Sequence, residues 1–252
     1  MELLNTRVRA VTWSRNAGPE HIERARAIAE QTGLTLIERQ GAWSTETPVL
    51  VVSRSGLCVR RGSETFRWHP GMLHARRAAG FLHPLVRLTY MRPGHTVLDA
   101  TMGQGTDARF LSELLGRTVR GVELSPVVAM MTAEGLRGVD ADVEVICRDG
   151  RDVLEEAPAC SWDHVLFDPM FPAHPPGARR SPSLNGLRAM AHTGGVDAGW
   201  VRAARRVARW SVVVRDVEGS GLLEDLDPPH VWHRRGRPAR YGVWSRWPRQ
   251  GA

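Results

Sequence analysis

The segment VLDATMGQGTDA, residues 97–108, decides the fold of this chain. Its first residues are apolar, as in a buried strand, and the strand ends in Asp99. Gly103 and Gly105 follow, and TDARFLSELLG (106–116) has the leucine spacing of an amphipathic helix. A strand, a glycine turn and a helix in this order indicate an α/β fold, in which ligands bind beyond the carboxyl ends of the strands.

The same alternation continues after this segment. We predict strands at 117–124, 142–148, 163–169 and 210–216, and helices at 125–136, 151–157 and 196–209. HVWHRR (230–235) and ARYGVW (239–244) are two further strands whose short turn, GRP, makes them antiparallel. Alternation of this kind gives right-handed crossovers and a parallel sheet covered on both faces. The predicted fold is a Rossmann-like, mostly parallel α/β sheet with an antiparallel C-terminal hairpin.

A smaller α/β pattern precedes it. We predict strands at 8–13, 34–39 and 48–54, a helix that Gly33 closes, and two short strands in LCVRRG and ETFRWHPG. The sequence therefore predicts two domains. Residues 1–72 form a small N-terminal α/β domain, and residues 73–252 form the main domain.

Composition excludes several classes of protein. Hydrophobic residues make 42% and charged residues 24% of the 252 residues, which is ordinary globular usage. No apolar run reaches the roughly 18 residues of a membrane helix, and the first residues lack a signal-peptide pattern. The cysteines Cys58, Cys147 and Cys160 are far apart and form no CxxC. We therefore expect a cytoplasmic protein with reduced thiols and no membrane partner.

Charge is unevenly distributed along the chain. Residues 1–90 hold 13 arginines and 7 acidic residues, residues 91–173 hold 7 and 14, and residues 174–252 hold 14 and 6. Basic flanks around an acidic middle indicate a polyanionic partner such as nucleic acid. All 34 basic residues are arginine, however, and such a bias is also typical of a GC-rich genome.

Acidic residues follow three successive predicted strands: Asp99, Glu123 and Asp149. At the second position a carboxylate can accept hydrogen bonds from both ribose hydroxyls, and at the third from an adenine amino group. GQGTDA (103–108) also fits the dinucleotide pattern G-x-G-x-x-A, a weak signal by itself. An acid four residues before the first glycine is typical of enzymes that use S-adenosyl-L-methionine (SAM). SAM is therefore the predicted cofactor and NAD the alternative, while each acid alone could simply cap a helix.

The fourth strand ends in FDPMFP, residues 167–172. Asp168 and the carbonyl of Pro169 can accept both protons of a flat exocyclic amine, and Phe171 can stack on its ring. These three are the predicted catalytic residues, in the pattern D/N-P-P-F/Y with Met170 in place of the second proline. The pattern suits N-methylation of a nucleic-acid base. An amine on a protein side chain or a small molecule is an alternative, as is a SAM-binding factor without turnover.

LDATMGQGTDA, GVELSPVVA (121–129) and FDPMFP together resemble the RsmJ-type class I SAM-dependent methyltransferases, which methylate N2 of a guanosine in small-subunit ribosomal RNA. WHPGM (68–72) and VTWSR (11–15) are similar to a less characterised bacterial branch. The resemblance implies ribosomal RNA or the small ribosomal subunit as partner. It also implies SAM contacts at the following positions: Thr106–Asp107, Glu123–Leu124, Asp149–Gly150 and Asp168.

The sequence departs from the RsmJ-type pattern in three places. Thr106 stands where that family has arginine, and Arg215 stands where a lysine usually ends the strand. The loop after Pro172 is rich in proline and arginine rather than lysine.

Further candidates lie outside these motifs. Arg179, Arg180 and Arg188, in the long connection 173–195, are predicted to bind substrate phosphates, unless that loop is only solvated. Trp68 and His69 belong to the cofactor or base pocket or to an interdomain packing turn. His230 and His233 with His192 are not expected to hold a metal, because strand spacing places the first two on opposite faces.

Overall fold

Two sheets organise the computed structural model, which describes residues 8–38, 47–69, 71–169 and 195–246. The strands of the smaller sheet are β1 (Ala10–Trp13), β2 (Thr35–Leu36), β3 (Val49–Ser53), β4 (Gly56–Arg61) and β5 (Glu64–Arg67). Their order is β2-β1-β3-β4-β5, with β1 parallel to both neighbours and β3, β4 and β5 antiparallel. This mixed sheet, with the helix that follows β1, is the N-terminal unit.

Helix α1 (Pro19–Thr32) connects β1 to β2. Proline stands at its first position, and Gly33 ends it in the left-handed conformation (φ 70°), donating its N–H to the Ala29 carbonyl. Ala25 and Ile28 are its buried residues. Strand β2 is shorter than the predicted 34–39, because it lies at the sheet edge and pairs with β1 at only two positions.

The larger sheet has seven strands. They are β6 (Val97–Asp99), β7 (Val119–Glu123), β8 (Val143–Cys147), β9 (Trp162–Phe167), β10 (Ala208–Val217), β11 (His230–His233) and β12 (Ala239–Ser245). Their order is β11-β12-β10-β9-β6-β7-β8. Strands β6 to β10 pair in parallel, and β12 is antiparallel to both β10 and β11. The predicted fold class is confirmed, including the closing hairpin. Strand β10 starts before the predicted 210, with a register shift between Ala208 and Ser211.

Helices cover both faces of the larger sheet. They are α2 (Leu73–Ala79), α3 (Pro84–Thr89), α4 (Thr106–Leu115), α5 (Pro126–Arg137), α6 (Gly150–Glu156), α7 (Ala198–Val207) and α8 (Leu222–Leu226). One apolar cluster gathers around Phe167 and Val201 on one face, and another around Phe110 and Leu166 on the other. In the part of the chain that the structure describes, no helix is long and apolar enough to cross a membrane.

The two sheets share apolar packing through α5. Val127, Val128 and Met131 of this helix belong to the same buried cluster as Leu50 and Phe66 of the N-terminal unit. The segment after residue 72 packs instead on the larger sheet, because Leu73, Leu85 and Val86 join the cluster around Phe110. We propose that the domain boundary lies between residues 72 and 73, and the apolar residues of α5 form part of the interface between the two units.

A buried polar chain lies at the amino edge of the larger sheet, opposite the predicted site. His164 is fully buried in β9, and its ring bonds to His95 (Nε2 to Nδ1, 2.9 Å) and to the Ser211 hydroxyl (2.8 Å). Asp163 beside it accepts hydrogen bonds from Thr96. Burial, with the charge of His95, lowers the pKa of His164 to about 3, so the folded protein holds this ring neutral at ordinary pH.

We expect this histidine to make the protein acid-sensitive. In the unfolded chain His164 takes up a proton near its ordinary pKa of about 6.5, whereas the folded chain takes it up only near 3. Its contribution to stability is therefore complete above about pH 6.5. It is lost on acidification at roughly 1.4 kcal/mol per pH unit.

Urea unfolding of the wild type and of His164→Asn between pH 7.5 and 4.5 measures this effect. The wild type should lose stability more steeply with falling pH than His164→Asn does. His74→Asn removes an exposed histidine and serves as the control for the loss of one histidine. Equal slopes in all three proteins would contradict the assignment.

Candidate active site at the carboxyl edge of the sheet

The glycine loop between β6 and α4 forms the centre of the site. Gly103 and Gly105 both adopt the left-handed conformation, with φ of 54° and 70°, which side chains disfavour. A Cβ at Gly105 would also lie 3.1 Å from Leu136. Gly105 is the N-cap of α4 and brings no side chain to cap it, so the first N–H groups of that helix face a potential ligand.

Hydrogen bonds from neighbouring elements fix this loop. Glu123, at the end of β7, accepts the Gly103 N–H (3.1 Å), and the Thr132 hydroxyl of α5 donates to the Gly103 carbonyl (2.9 Å). Trp68 donates its indole N–H to the Gln104 carbonyl (3.0 Å). The loop therefore has a defined conformation that three separate parts of the chain determine.

The acids predicted at the first two strand ends are buried. Glu123 is 7% exposed and Asp99 is 2% exposed. Burial raises the pKa of Glu123, although it accepts the N–H groups of Ser125 (2.8 Å) and Gly103. The pKa of Asp99 lies well above its ordinary value, first through burial and then through nearby acids, among them Asp107. Leu124 beside Glu123 is 39% exposed, so it offers an accessible apolar surface at this edge.

Asp149, after β8, is the N-cap of helix α6, and its carboxylate accepts the Arg151 N–H (2.8 Å). Asp149 therefore has the helix-capping role that the sequence analysis gave as an alternative, and one carboxylate oxygen is used for it. Gly150 lies so close to the loop after β6 that a Cβ would be 2.5 Å from the Ala100 carbonyl oxygen. Any larger residue would displace the start of α6, which makes Gly150 a close-approach position.

The structure pairs Asp107 with an arginine that sequence analysis missed. Arg76 of α2 donates from Nε to Oδ1 (2.5 Å) and from its terminal nitrogen to Oδ2 (3.0 Å) of Asp107. Their side chains are only 13% and 9% exposed. Burial raises the pKa of Asp107, but the charge and hydrogen bonds of Arg76 outweigh burial and hold it below the ordinary value. Arg76 is not part of a recognisable sequence motif, and its contact with Asp107, 31 residues away in the sequence, arises only from the fold.

Asp168 directly follows β9 and has a second arginine as its partner. Arg215 of β10 donates to Asp168 Oδ2 (2.6 Å), and the Asp168 N–H donates to the Thr101 hydroxyl (2.7 Å). Burial raises the pKa of Asp168, and Arg215 limits that rise. Tyr241 of β12 pairs with Arg215 in register and is also buried. Sequence analysis noted Arg215 only as a departure from the family pattern.

The structure thus brings together most of the predicted residues. The charges of Asp107, Asp168 and Glu123 raise the pKa of Asp99. The charge of Asp107 also raises the pKa of Asp168. Thr106 begins α4 beside the loop, and Pro169 follows Asp168. Four predicted residues lie outside the described residues: Phe171, Arg179, Arg180 and Arg188. Their roles stay predictions.

Comparisons with known proteins agree with this arrangement. The profile of a family described as "Putative SAM-dependent methyltransferase" matches residues 65–246. The uncharacterized protein YpiP of Bacillus subtilis is 33% identical over 217 residues, 79% of this chain and 82% of that protein. Ribosomal RNA small subunit methyltransferase J of Alkalilimnicola ehrlichii is 28% identical over 253 aligned residues, 90% of this chain and 92% of that protein.

A solved structure has the same fold. It is a SAM-dependent methyltransferase from Neisseria gonorrhoeae, which superposes with a TM-score of 0.64 at 19% identity. The match covers 94% of this chain and 95% of that one. The shared fold therefore extends over the N-terminal unit as well as the larger sheet.

The pair formed by Asp168 and Arg215 can be tested by titration. Replacing Arg215 with Met removes the positive charge that opposes the effect of burial, so the pKa of Asp168 should rise further. Carboxyl ¹³C NMR over a pH series measures this, with Asp168→Asn to identify the resonance.

Arg209→Met is the matched control. Arg209 lies on the same strand but pairs with Asp163 at the other end of it (3.1 Å). This variant should leave the titration of Asp168 unchanged. A wild-type titration of Asp168 in Arg215→Met would show that the ion pair does not control that carboxylate.

Proposed function

The chain belongs to the family of SAM-dependent methyltransferases, and on that basis we propose that it methylates an exocyclic base amine of RNA, specifically guanine N2 of small-subunit ribosomal RNA. The protein is an enzyme whose cofactor is SAM. One observation carries the proposed reaction: Asp168 and Pro169 follow β9 next to the glycine loop, where Asp168 is tied to that loop through Thr101. Relatives named ribosomal RNA small subunit methyltransferase J support the substrate class.

The residues at the carboxyl edge fit SAM. Gly103 and Gly105 adopt the left-handed conformation that lets the loop turn tightly at this edge, and Gly150 lets the start of α6 lie against Ala100. The uncapped N-terminus of α4 suits the carboxylate of the amino-acid portion. Glu123 would accept from the ribose hydroxyls, and the oxygen of Asp149 not used for capping would accept from the adenine amine. SAM supplies a methyl group already activated by its positive sulfonium.

The remaining cofactor residues fall into two groups. Asp99 and Asp168 are acids that would favour this positive charge. Thr106, Asp107 and Leu124 would line the sides of the cofactor site, with Asp107 ionised through Arg76. These assignments rest on position in the fold and on the family resemblance.

Catalysis would consist mainly of positioning the amine. The Asp168 carboxylate and the Pro169 carbonyl would accept its two N–H groups and aim the nitrogen lone pair at the methyl group. As the nitrogen gains positive charge, the same two acceptors stabilise it. Arg215 would hold the Asp168 carboxylate in place and ionised. Phe171 would stack on the base, which must be single-stranded or flipped from its helix.

Phosphate contacts would come from the arginine-rich flanks. Arg179, Arg180 and Arg188 are the proposed substrate-binding residues, and residues 174–252 hold 14 arginines against 6 acids. Several phosphate contacts would make binding weaken steeply with salt, whereas a small neutral amine would bind with little salt dependence.

Replacement of Asp168 tests its catalytic role. Asp168→Ala should lower turnover about 100-fold or more, because it removes one preorganised polar group at the developing charge. Asp168→Asn keeps one acceptor oxygen and should retain more activity than Asp168→Ala. Single-turnover kinetics at saturating SAM measure the effect, with calorimetric SAM binding as the control for cofactor affinity. Near wild-type turnover in Asp168→Ala, with unchanged SAM affinity, would contradict the role.

Tritium transfer from labelled SAM identifies the substrate. Small ribosomal subunits and naked ribosomal RNA from cells that lack this gene are incubated with the enzyme and digested to nucleosides. We expect label in N2-methylguanosine. Label in another base would refute guanine N2, and label in protein would favour a side-chain amine. SAM binding without any transfer would favour a non-catalytic SAM-binding factor.

A further inference from the structure

The segment that connects β5 to helix α2 lies against the glycine loop between β6 and α4. We call residues 68–76 the strap; residue 70 lies outside the described residues. The strap begins directly after β5 and ends within α2. It touches the loop Gly103–Asp107 at three points, from Trp68, Gly71 and Arg76.

Trp68 makes the first contact. Its indole N–H donates to the Gln104 carbonyl (3.0 Å), in the middle of the glycine loop. Its ring lies against α5 at Gly135, where a Cβ would be 2.0 Å from the ring. A helix interior disfavours glycine by about 1 kcal/mol relative to alanine, so Gly135 indicates that the ring needs this space. The indole is therefore held by α5 and directs its donor at the loop.

Gly71 and Arg76 contact the loop at its C-terminal end. Gly71 has a φ of 60°, and a Cβ there would lie 2.8 Å from the Thr106 hydroxyl oxygen. Arg76 holds both oxygens of Asp107 in the first turn of α4. A bidentate pair between a guanidinium and a carboxylate restricts the orientation of both groups, so Arg76 sets the direction of the Asp107 carboxylate.

The other end of the strap is anchored by the N-terminal unit. Glu134 of α5 accepts from Arg24 of α1 (2.6 Å) and from the Leu57 N–H of β4 (3.2 Å). Together with the apolar contacts of Val127 and Met131, these bonds fix the smaller sheet against the helix that also supports Trp68. The N-terminal unit thereby determines where the strap starts.

We propose that Trp68 and Arg76 are positioning residues for the cofactor loop, and that the N-terminal unit thereby sets the affinity for SAM. This gives the extension a role at the cofactor, in addition to any contact with RNA. The proposal depends on SAM as the cofactor and not on the identity of the methyl acceptor. Neither residue needs to touch SAM, because each acts through a loop group.

Trp68→Phe tests the proposal with little change of volume. It keeps an aromatic ring against Gly135 but removes the donor to Gln104. Trp13→Phe is the matched control, since Trp13 packs against the apolar cluster of the N-terminal unit. We expect a Kd for SAM about 5- to 10-fold weaker in Trp68→Phe, consistent with the loss of one hydrogen bond to a buried group. Trp13→Phe should bind SAM as the wild type does, even if its Tm is lower.

Arg76 gives a second, graded series. Arg76→Met removes the charge and both bonds to Asp107, whereas Arg76→Lys keeps the charge and can make one bond. SAM affinity by calorimetry, on the full chain and without RNA, should fall in the order wild type, Arg76→Lys, Arg76→Met. Melting temperature is measured on the same samples. A purely structural role would lower Tm in these variants and leave the SAM Kd of the folded protein unchanged.

The outcomes separate this proposal from the proposed function. Wild-type SAM affinity in folded Trp68→Phe and Arg76→Met would overturn the role of the strap, whatever the acceptor proves to be. If Trp68→Phe does not fold, the Arg76 series alone decides. Failure to methylate RNA would refute the proposed substrate and leave the calorimetric result intact.

Discussion

Burial of several carboxyl groups at one edge of a parallel sheet is the constraint on which this site depends. Strands β6, β7 and β9 all end there, so their acids come together in a region of low polarity. Like charges so placed repel one another, and burial alone already disfavours their ionised forms. Each ionised carboxylate is stabilised by a different partner. Arg76 donates to Asp107, Arg215 donates to Asp168, and backbone N–H groups donate to Glu123. Burial and the neighbouring acids hold the pKa of Asp99 well above its ordinary value. A positive charge on a ligand would stabilise the ionised form of this carboxyl group.

Short stretches of sequence were sufficient to predict the glycine turn, the acids at the strand ends and the C-terminal hairpin. The glycine turn, the strand-end acids and the C-terminal hairpin all follow from short-range patterns, and the sheet has them where expected. The compensating arginines could not be predicted in the same way. Arg76 and Asp107 are 31 residues apart, and Arg215 and Asp168 are 47 apart. Their pairing depends on how α2 packs on the sheet and on β10 lying next to β9, and no periodicity in the sequence encodes either.

The division into domains shows a similar limit. The change of pattern near residue 72 lies between the last strand of the smaller sheet and the first helix on the larger one, but it says nothing of how the two parts contact each other. Helix α5 is mostly apolar because it is buried on two sides, by its own sheet and by the N-terminal unit. Strand-helix alternation assigned it to the larger sheet alone. Glu134 of this helix accepts hydrogen bonds from the N-terminal unit, and Gly135 lies against Trp68. These contacts join the two units into one framework around the loop.

The same packing changes what the charge distribution means. Within the described residues, five arginines of the basic flanks pair with acids of the acidic middle segment: Arg24 with Glu134, Arg76 with Asp107, Arg77 with Glu113, Arg209 with Asp163, and Arg215 with Asp168. These pairs neutralise part of the asymmetry along the sequence. The pair of Arg76 with Asp107 is buried, whereas the side chains of Arg24, Arg77 and Arg209 are about half exposed. Arg76 is buried, and its charge is paired with Asp107 rather than exposed at the surface. The two flanks hold 27 arginines, so these five pairs account for only part of their positive charge. A steep salt dependence of substrate binding would report on exposed arginines, since a buried pair such as Arg76 with Asp107 is screened far less by salt than exposed charges.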